Sequence, residues 1–271
     1  MKPPVVFLHG AFCSGRSFKD FAKPFARAGY AVGVPTLRHH DRGMNPPPAL
    51  ASTSLLDYAA DLEASIAKLD AAPVLVGHSL GGLLAQMLAA RGRARAVVLL
   101  APSAPWGVLP STLFEIGSAQ ALYFAGDFWN QILMPQYSVA AASSLDRLSA
   151  KKRAAVYAQF VPESGRATFE TMHWALDPKR ATYVRARDVT CPVLCLTGSE
   201  DRINAPATVR RIAERYSDAV HEEVPGRSHW LIGEDGWQEI AGRVLQWLKE
   251  TLPEAAAPAN RLPSGVLAGP S

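Results

Sequence analysis

The chain has 271 residues, 48% hydrophobic and 19% charged, enough apolar material for a sizeable core and too little charge for global disorder. Its net charge of +4 is the balance of 28 basic and 24 acidic residues spread along the chain, without the Lys/Arg block that a nucleic-acid partner would call for. Cys13, Cys191 and Cys195 fit neither a disulfide framework nor zinc-ligand spacing, no signal peptide is visible and no run reaches the ~18 apolar residues of a membrane helix, so a cytoplasmic protein without a membrane span is expected.

Val5 to Leu8 is a short, wholly apolar run ended by His9-Gly10, the pattern of a strand buried on both faces of a parallel sheet. The spacing of Phe18, Phe21 and Phe25 predicts a helix over 17–28, stopped by Gly29 ahead of a strand over 30–34. The alternation repeats as helix 55–69, strand 73–76, helix 80–91 and strand 96–100. Strands alternating with helices predict an α/β fold with a doubly wound, mostly parallel sheet and right-handed crossovers.

Over 102–183 the strand rhythm is lost and aromatic residues accumulate, which predicts an inserted all-helical cap. The rhythm returns with strand 192–197, helix 206–216, strand 219–224 and an amphipathic helix 237–252. The expected organisation is a first core part over 1–104, the cap over 105–183, a second core part over 184–252 and a flexible Pro/Ala/Gly-rich tail over 253–271. Cys191 and Cys195 fall four apart in one predicted strand, roughly 13 Å from each other, too far to bridge.

Gly77-His78-Ser79-Leu80-Gly81 lies between a predicted strand and a predicted helix. That placement makes it a nucleophile elbow, in which the serine occupies a strained turn, flanking glycines let other backbone pass close, and the helix N-terminus faces the site of a developing oxyanion. A serine nucleophile needs an imidazole base and a carboxylate to orient it, and in open α/β sheets such groups gather beyond the carboxyl ends of the strands. Asp201, in Gly198-Ser199-Glu200-Asp201, and His229, in Gly226-Arg227-Ser228-His229-Trp230, each follow a predicted strand. Glu200 is the rival acid. Of the other histidines, His9 and His78 read as wall or hydrogen-bonding groups inside the motifs, His173 sits in the cap, and His221 starts a strand.

His9-Gly10, the elbow, the Gly198-x-x-Asp201 motif and the late His229 stand in the order of the α/β-hydrolase fold superfamily, and over about 4–250 the chain resembles its serine esterases and lipases with a helical cap. The short lead into the first strand is similar to the compact plant-type esterase and hydroxynitrile lyase branch. The resemblance implies an oxyanion hole built from the backbone N–H groups of Ala11 and Leu80. It also implies hydrolysis of carboxylic esters with apolar acyl or alcohol groups through an acyl-enzyme on Ser79. Carbon–carbon bond hydrolysis, hydroxynitrile-lyase-type cleavage and lactone or thioester hydrolysis are the alternatives the same triad supports, and a buried lysine near the nucleophile would favour a lyase.

The expected partner is a small-molecule ester, bound by a monomer or homodimer. Phe12 and His78 beside the motifs, and Trp106, Trp129, Met172 and Trp174 in the cap, are the expected substrate-binding residues, although helix packing accounts for most cap aromatics. His39-His40-Asp41 invites a metal reading, but adjacent loop residues point apart and no second ligand cluster accompanies them. No Gly-rich phosphate loop is present, so neither a metal nor a nucleotide cofactor is expected.

Overall fold

The apolar runs become neighbouring strands of one sheet in a computed structural model that describes residues 2–252; the expected tail over 253–271 lies outside the described residues. In chain order the strands are β1 (Val5–Leu8), β2 (Val32–Gly33), β3 (Val74–His78), β4 (Ala96–Leu100), β5 (Ile132–Leu133), β6 (Glu163–Ser164), β7 (Val193–Gly198) and β8 (Val220–Val224). The helices are α1 (Lys23–Arg27), α2 (Leu55–Ile66), α3 (Leu80–Ala89), α4 (Leu113–Ala121), α5 (Tyr137–Ala142), α6 (Ala150–Tyr157), α7 (Gly165–Met172), α8 (Pro206–Ala213) and α9 (Trp237–Thr251).

Six strands form a sheet in the order β2-β1-β3-β4-β7-β8, and every pairing in it is parallel. The four central strands are buried along their whole length, as near-continuous Val/Leu runs covered on both faces should be. Successive side chains alternate between two cores: Val5, Phe7, Val74 and Val76 pack with Phe18, Phe21, Phe25 and Trp247, whereas Val6, Leu8 and Leu75 pack with Tyr58, Leu62 and Leu84. Phe7 meets Phe18 and Phe25 with ring centroids 5.1 Å apart in each case.

Four sequence expectations are corrected. The helix expected over 17–28 is a 3-10 turn at Gly15–Phe18 followed by the five-residue α1, because Pro24 has no N–H to give to residue 20 and its ring is accommodated only in a first helical turn. The strand over 30–34 shrinks to two residues at the sheet edge. The 102–183 stretch is not purely helical: besides α4 to α7 it holds a two-stranded antiparallel ribbon of β5 and β6, too short for hydrophobic periodicity to reveal. Cys191 precedes β7, leaving Cys195 as the buried cysteine of that strand.

Register places the chemistry. Leu8 lies opposite Gly77, so His9-Gly10 and His78-Ser79 leave the sheet side by side. Gly198 lies opposite Val224, which brings the two later loops to the same carboxyl edge. Among the described residues, no helix is long and apolar enough to cross a membrane.

Candidate active site

Between Pro73 and Ala89, Ser79 is the one residue that is not buried. Its backbone sits at φ 53°, ψ −119°, a conformation costly for any residue with a Cβ and sustained only by its surroundings. Those surroundings are tight. A side chain at Gly77 would collide with the Gly81 carbonyl, and one at Gly81 with the Leu8 carbonyl, so both elbow glycines are required by close backbone approach. The Ser79 N–H donates to Leu100 O at 3.0 Å, and its carbonyl accepts from Ser103 N–H at 2.9 Å. A Cβ on Gly10 would lie 3.1 Å from the Ser79 Cβ, which puts the loop after β1 directly against the serine.

Across the edge, His229 Nδ1–H donates to Asp201 Oδ2 at 2.9 Å, and both residues are buried. Asp201 Oδ1 accepts from the backbone N–H groups of Ile203 at 2.8 Å and Asn204 at 3.0 Å, fixing the carboxylate. With Nδ1 committed as a donor, Nε2 of neutral His229 is left as the basic nitrogen. Glu200, the rival acid, instead pairs with Arg147 and its side chain is 43% exposed. His78 Nε2–H donates to the His229 carbonyl at 2.8 Å, and the two rings lie 4.9 Å apart, so the residue before Ser79 touches the loop that carries His229. Burial, then the nearby His229, push the His78 imidazole down to about 3, which keeps it neutral.

Glu234, which sequence reasoning missed, holds the His229 loop. Its carboxylate accepts from the N–H of Ser228 at 3.0 Å and of Trp230 at 3.0 Å, bracketing the histidine. Burial raises its carboxyl pKa, and these two N–H groups oppose the shift.

Around the loop after β1, Leu80 is the first residue of α3, where a backbone N–H has no intrahelical acceptor. Among the described residues the Ala11 N–H has no protein acceptor. Its neighbour Phe12 has φ 60°, and its N–H donates to Glu163 Oε2 at 3.3 Å. Glu163, fully buried, also accepts from Tyr58 O–H at 2.8 Å, Ser164 N–H at 2.7 Å and His40 Nε2–H at 3.1 Å. His40 Nδ1–H donates to Arg38 O at 3.0 Å. The motif His39-His40-Asp41 is thereby split, with His40 turned inward while Asp41 stays exposed beside Arg42.

Both His40 nitrogens face acceptors, the arrangement of an imidazolium. Burial pushes the His40 pKa down, but the charge and hydrogen bond of Glu163 outweigh it and hold the imidazole above its ordinary value. Burial pushes Glu163 up, and His40 with the other donors holds it below the usual carboxylate range. His9, whose ring lies 5.4 Å from His40, is lowered to about 4 by burial and then by His40; Tyr58 and Cys13 are raised, first by burial and then by Glu163. The linkage follows from the signs. The Glu163 contribution is present above its unfolded value of about 4.3 and lost as pH falls through the folded value; the His40 contribution is present below about 6.5 and lost as pH rises through the folded value. Thermal melts of the wild type should show this stabilisation between these limits, and His40→Gln should remove about 3 kcal/mol there, with the deficit shrinking as pH rises through the folded His40 value.

The expected substrate-binding residues fall into distinct settings. Trp106 and Trp174 meet with ring centroids 5.5 Å apart, and the Arg180 guanidinium covers the Trp106 ring at 4.7 Å. Trp106 is three residues past Ser103, whose N–H binds Ser79. Trp129 belongs to an aromatic cluster with Tyr123, Phe128 and Phe169, and Met172 is exposed. His78 is buried behind His229, and Phe12 is half-buried on the clamped loop.

Residues 5–243 match a family model described as the alpha/beta hydrolase family. The chain is 28% identical over 243 residues to the mouse sn-1-specific diacylglycerol lipase ABHD11, covering 84% of this chain and 76% of that protein. Among solved structures it resembles a monoacylglycerol lipase from Paleococcus ferrophilus, with a TM-score of 0.65, 22% identity and coverage of 93% and 97% of the two chains. An extracellular alpha/beta-hydrolase from a Paenibacillus species superposes with a TM-score of 0.70 at 18% identity, over 90% of this chain and 98% of that one. The parallel sheet, the serine turn after β3 and a family match spanning most of the sequence lead to one assignment: the chain belongs to the alpha/beta hydrolase family.

Proposed function

We propose that the protein is a cytoplasmic serine esterase that cleaves carboxylic esters with apolar acyl or alcohol groups. The observation that carries this reading is the buried Asp201–His229 pair at 2.9 Å, beyond the same sheet edge as a serine held at φ 53°. Ser79 Oγ attacks the ester carbonyl while His229 Nε2 takes its proton; Asp201 orients the imidazole and stabilises its protonated form. The N–H groups of Ala11 and Leu80 stabilise the oxyanion. The imidazolium then protonates the departing alcohol, and water, activated by the same histidine, releases the acid from Ser79.

In this reading the segment over 105–183 is a cap that selects substrates. Its α4 docks on the loop after Asp201, where Arg202 lies over the Phe114 ring at 4.9 Å and Glu115 accepts from the Ala205 N–H at 3.2 Å. Leu109, Leu113, Ile116 and Phe124 are exposed there, an apolar surface suited to an acyl chain or its aggregate. The lipase activities named for the mouse relative and the Paleococcus ferrophilus neighbour make acylglycerols the first class to try. Every lysine among the described residues is exposed or half-buried, so the buried ammonium that would favour a lyase is not among them.

The test is turnover of p-nitrophenyl esters from acetate to palmitate, together with mono- and diacylglycerols; failure to cleave any of them would reject the reading. Trp174→Ala should change the ranking of short against long acyl chains by about ten-fold, since one methylene in an apolar pocket is worth roughly 1–3 kcal/mol. Trp129→Ala, which opens the aromatic cluster, should mainly lower Tm. An unchanged ranking in Trp174→Ala would show that this tryptophan only packs the cap.

A further inference from the structure

The peptide units around Phe12 are gripped from both sides by one stretch of the 102–183 insertion. The Phe12 N–H is held by Glu163 Oε2 at 3.3 Å, and the Phe12 carbonyl accepts from Val161 N–H at 2.9 Å. Phe12 has φ 60°, a left-handed conformation that a bulky residue adopts only when outside contacts enforce it. Those contacts are built to last. Glu163 is fully buried, and each carboxylate oxygen takes two donors: Tyr58 O–H and Ser164 N–H on Oε1, Phe12 N–H and His40 Nε2–H on Oε2. A buried carboxylate with every acceptor engaged and a cationic partner beside it is costly to assemble, so its place in the fold calls for a reason beyond stability.

That reason is position. The strained residue follows Ala11 directly, and Gly10, on the other side of Ala11, packs against Ser79. The direction of the Ala11 N–H is therefore fixed between a close approach at Gly10 and a clamp at Phe12. We propose that Glu163, charge-paired with His40 and steadied by Tyr58, is a positioning residue that aims the Ala11 N–H at the oxyanion formed on Ser79. The inference rests on the serine-esterase reading above. It makes the insertion part of the catalytic device: the strand β6 that carries Glu163 sets the geometry of a loop in the core. It also gives the inward-turned half of His39-His40-Asp41 a task, the supply of the cation that keeps Glu163 ionised.

The experiment uses the full chain as wild type, Glu163→Gln and Tyr58→Phe. Each is titrated with a fluorophosphonate to count reactive serines, assayed for kcat and KM on a p-nitrophenyl ester, and tested for inhibition by a trifluoromethyl ketone, whose adduct carries the oxyanion. For Glu163→Gln, kcat should fall about 10- to 100-fold, less than loss of an oxyanion donor itself, with KM within about two-fold and inhibitor affinity falling in step with kcat. Tyr58→Phe, which removes one donor and keeps the ion pair, should move both quantities about three-fold in the same direction. A purely structural role would lower the titratable fraction and leave kcat per active site and inhibitor affinity alone; that outcome overturns the proposal. If Glu163→Gln does not fold, Tyr58→Phe decides, and wild-type kcat and inhibitor affinity in that variant overturn it. A wild type that cleaves the ester without a titratable serine would instead reject the serine reading itself, and this inference with it.

Discussion

Replacing Ser79 with alanine is expected to lower kcat for ester hydrolysis by about 10⁴- to 10⁶-fold while leaving KM within a few-fold. In the proposed mechanism the substitution removes the atom that would form the acyl-enzyme, and little else. The alanine variant would keep the backbone at φ 53°, because that angle is imposed by the Leu100 and Ser103 hydrogen bonds and by the packing of Gly77 against Gly81. Circular dichroism and Tm should thus stay near wild type. Residual turnover above about one part in a hundred would count against Ser79 as the nucleophile.

Asp201→Asn is expected to cost about 10⁴ in kcat. An asparagine can present its NH₂ to His229 Nδ1, which would turn the imidazole to the tautomer whose Nε2 carries the proton and cannot accept one from serine. The two backbone donors from Ile203 and Asn204 would still find the asparagine oxygen, so the loop should persist. Glu200→Gln serves as the contrast. It breaks a half-exposed pairing with Arg147, of a kind worth about 0–1 kcal/mol to stability, and should leave kcat within a factor of about two. A larger loss from Glu200→Gln than from Asp201→Asn, measured on the same ester, would reassign the acid.

The sequence is legible where one local rule dominates. β1, β3, β4 and β7 are unbroken apolar runs, and burial on both faces of a parallel sheet leaves such runs few other fates. Ser79 is legible because a strand-to-helix turn this tight admits only glycine at 77 and 81. Asp201 and His229 follow from strand order, and the structure brings them within hydrogen-bonding distance. The two-residue strands β2, β5 and β6 show no period, since alternation needs four or more residues to register. The phenylalanine spacing over 18–25 mimics a helical period, while Pro24 limits the α-helix to the five residues that begin beside it.

Glu163 and Glu234 escaped for another reason. A buried carboxylate is recognised by its donors: those of Glu163 include Phe12, His40 and Tyr58, far along the chain, and those of Glu234 are the backbone N–H groups of Ser228 and Trp230, a donor type that every residue but proline carries and that leaves no mark in the sequence. In the sequence each is one acidic residue among 24. The one readable signal was the pair His39-His40, and the metal reading it suggested pointed away from an ion pair. Trp129 and Trp174 looked alike in sequence because both sit in an aromatic stretch; only the ring contacts separate the one inside the cluster from the one beside Trp106.

The most direct test of the central claim is covalent. Incubation with a fluorophosphonate, followed by intact-mass measurement and peptide mapping, should add one phosphonyl group to the wild type, on Ser79, with ester hydrolysis lost in proportion to labelling. The Ser79→Ala protein should take up none. A protein that cleaves esters yet stays unlabelled, or one labelled at another residue with activity lost in proportion, would contradict the assignment of Ser79 as nucleophile.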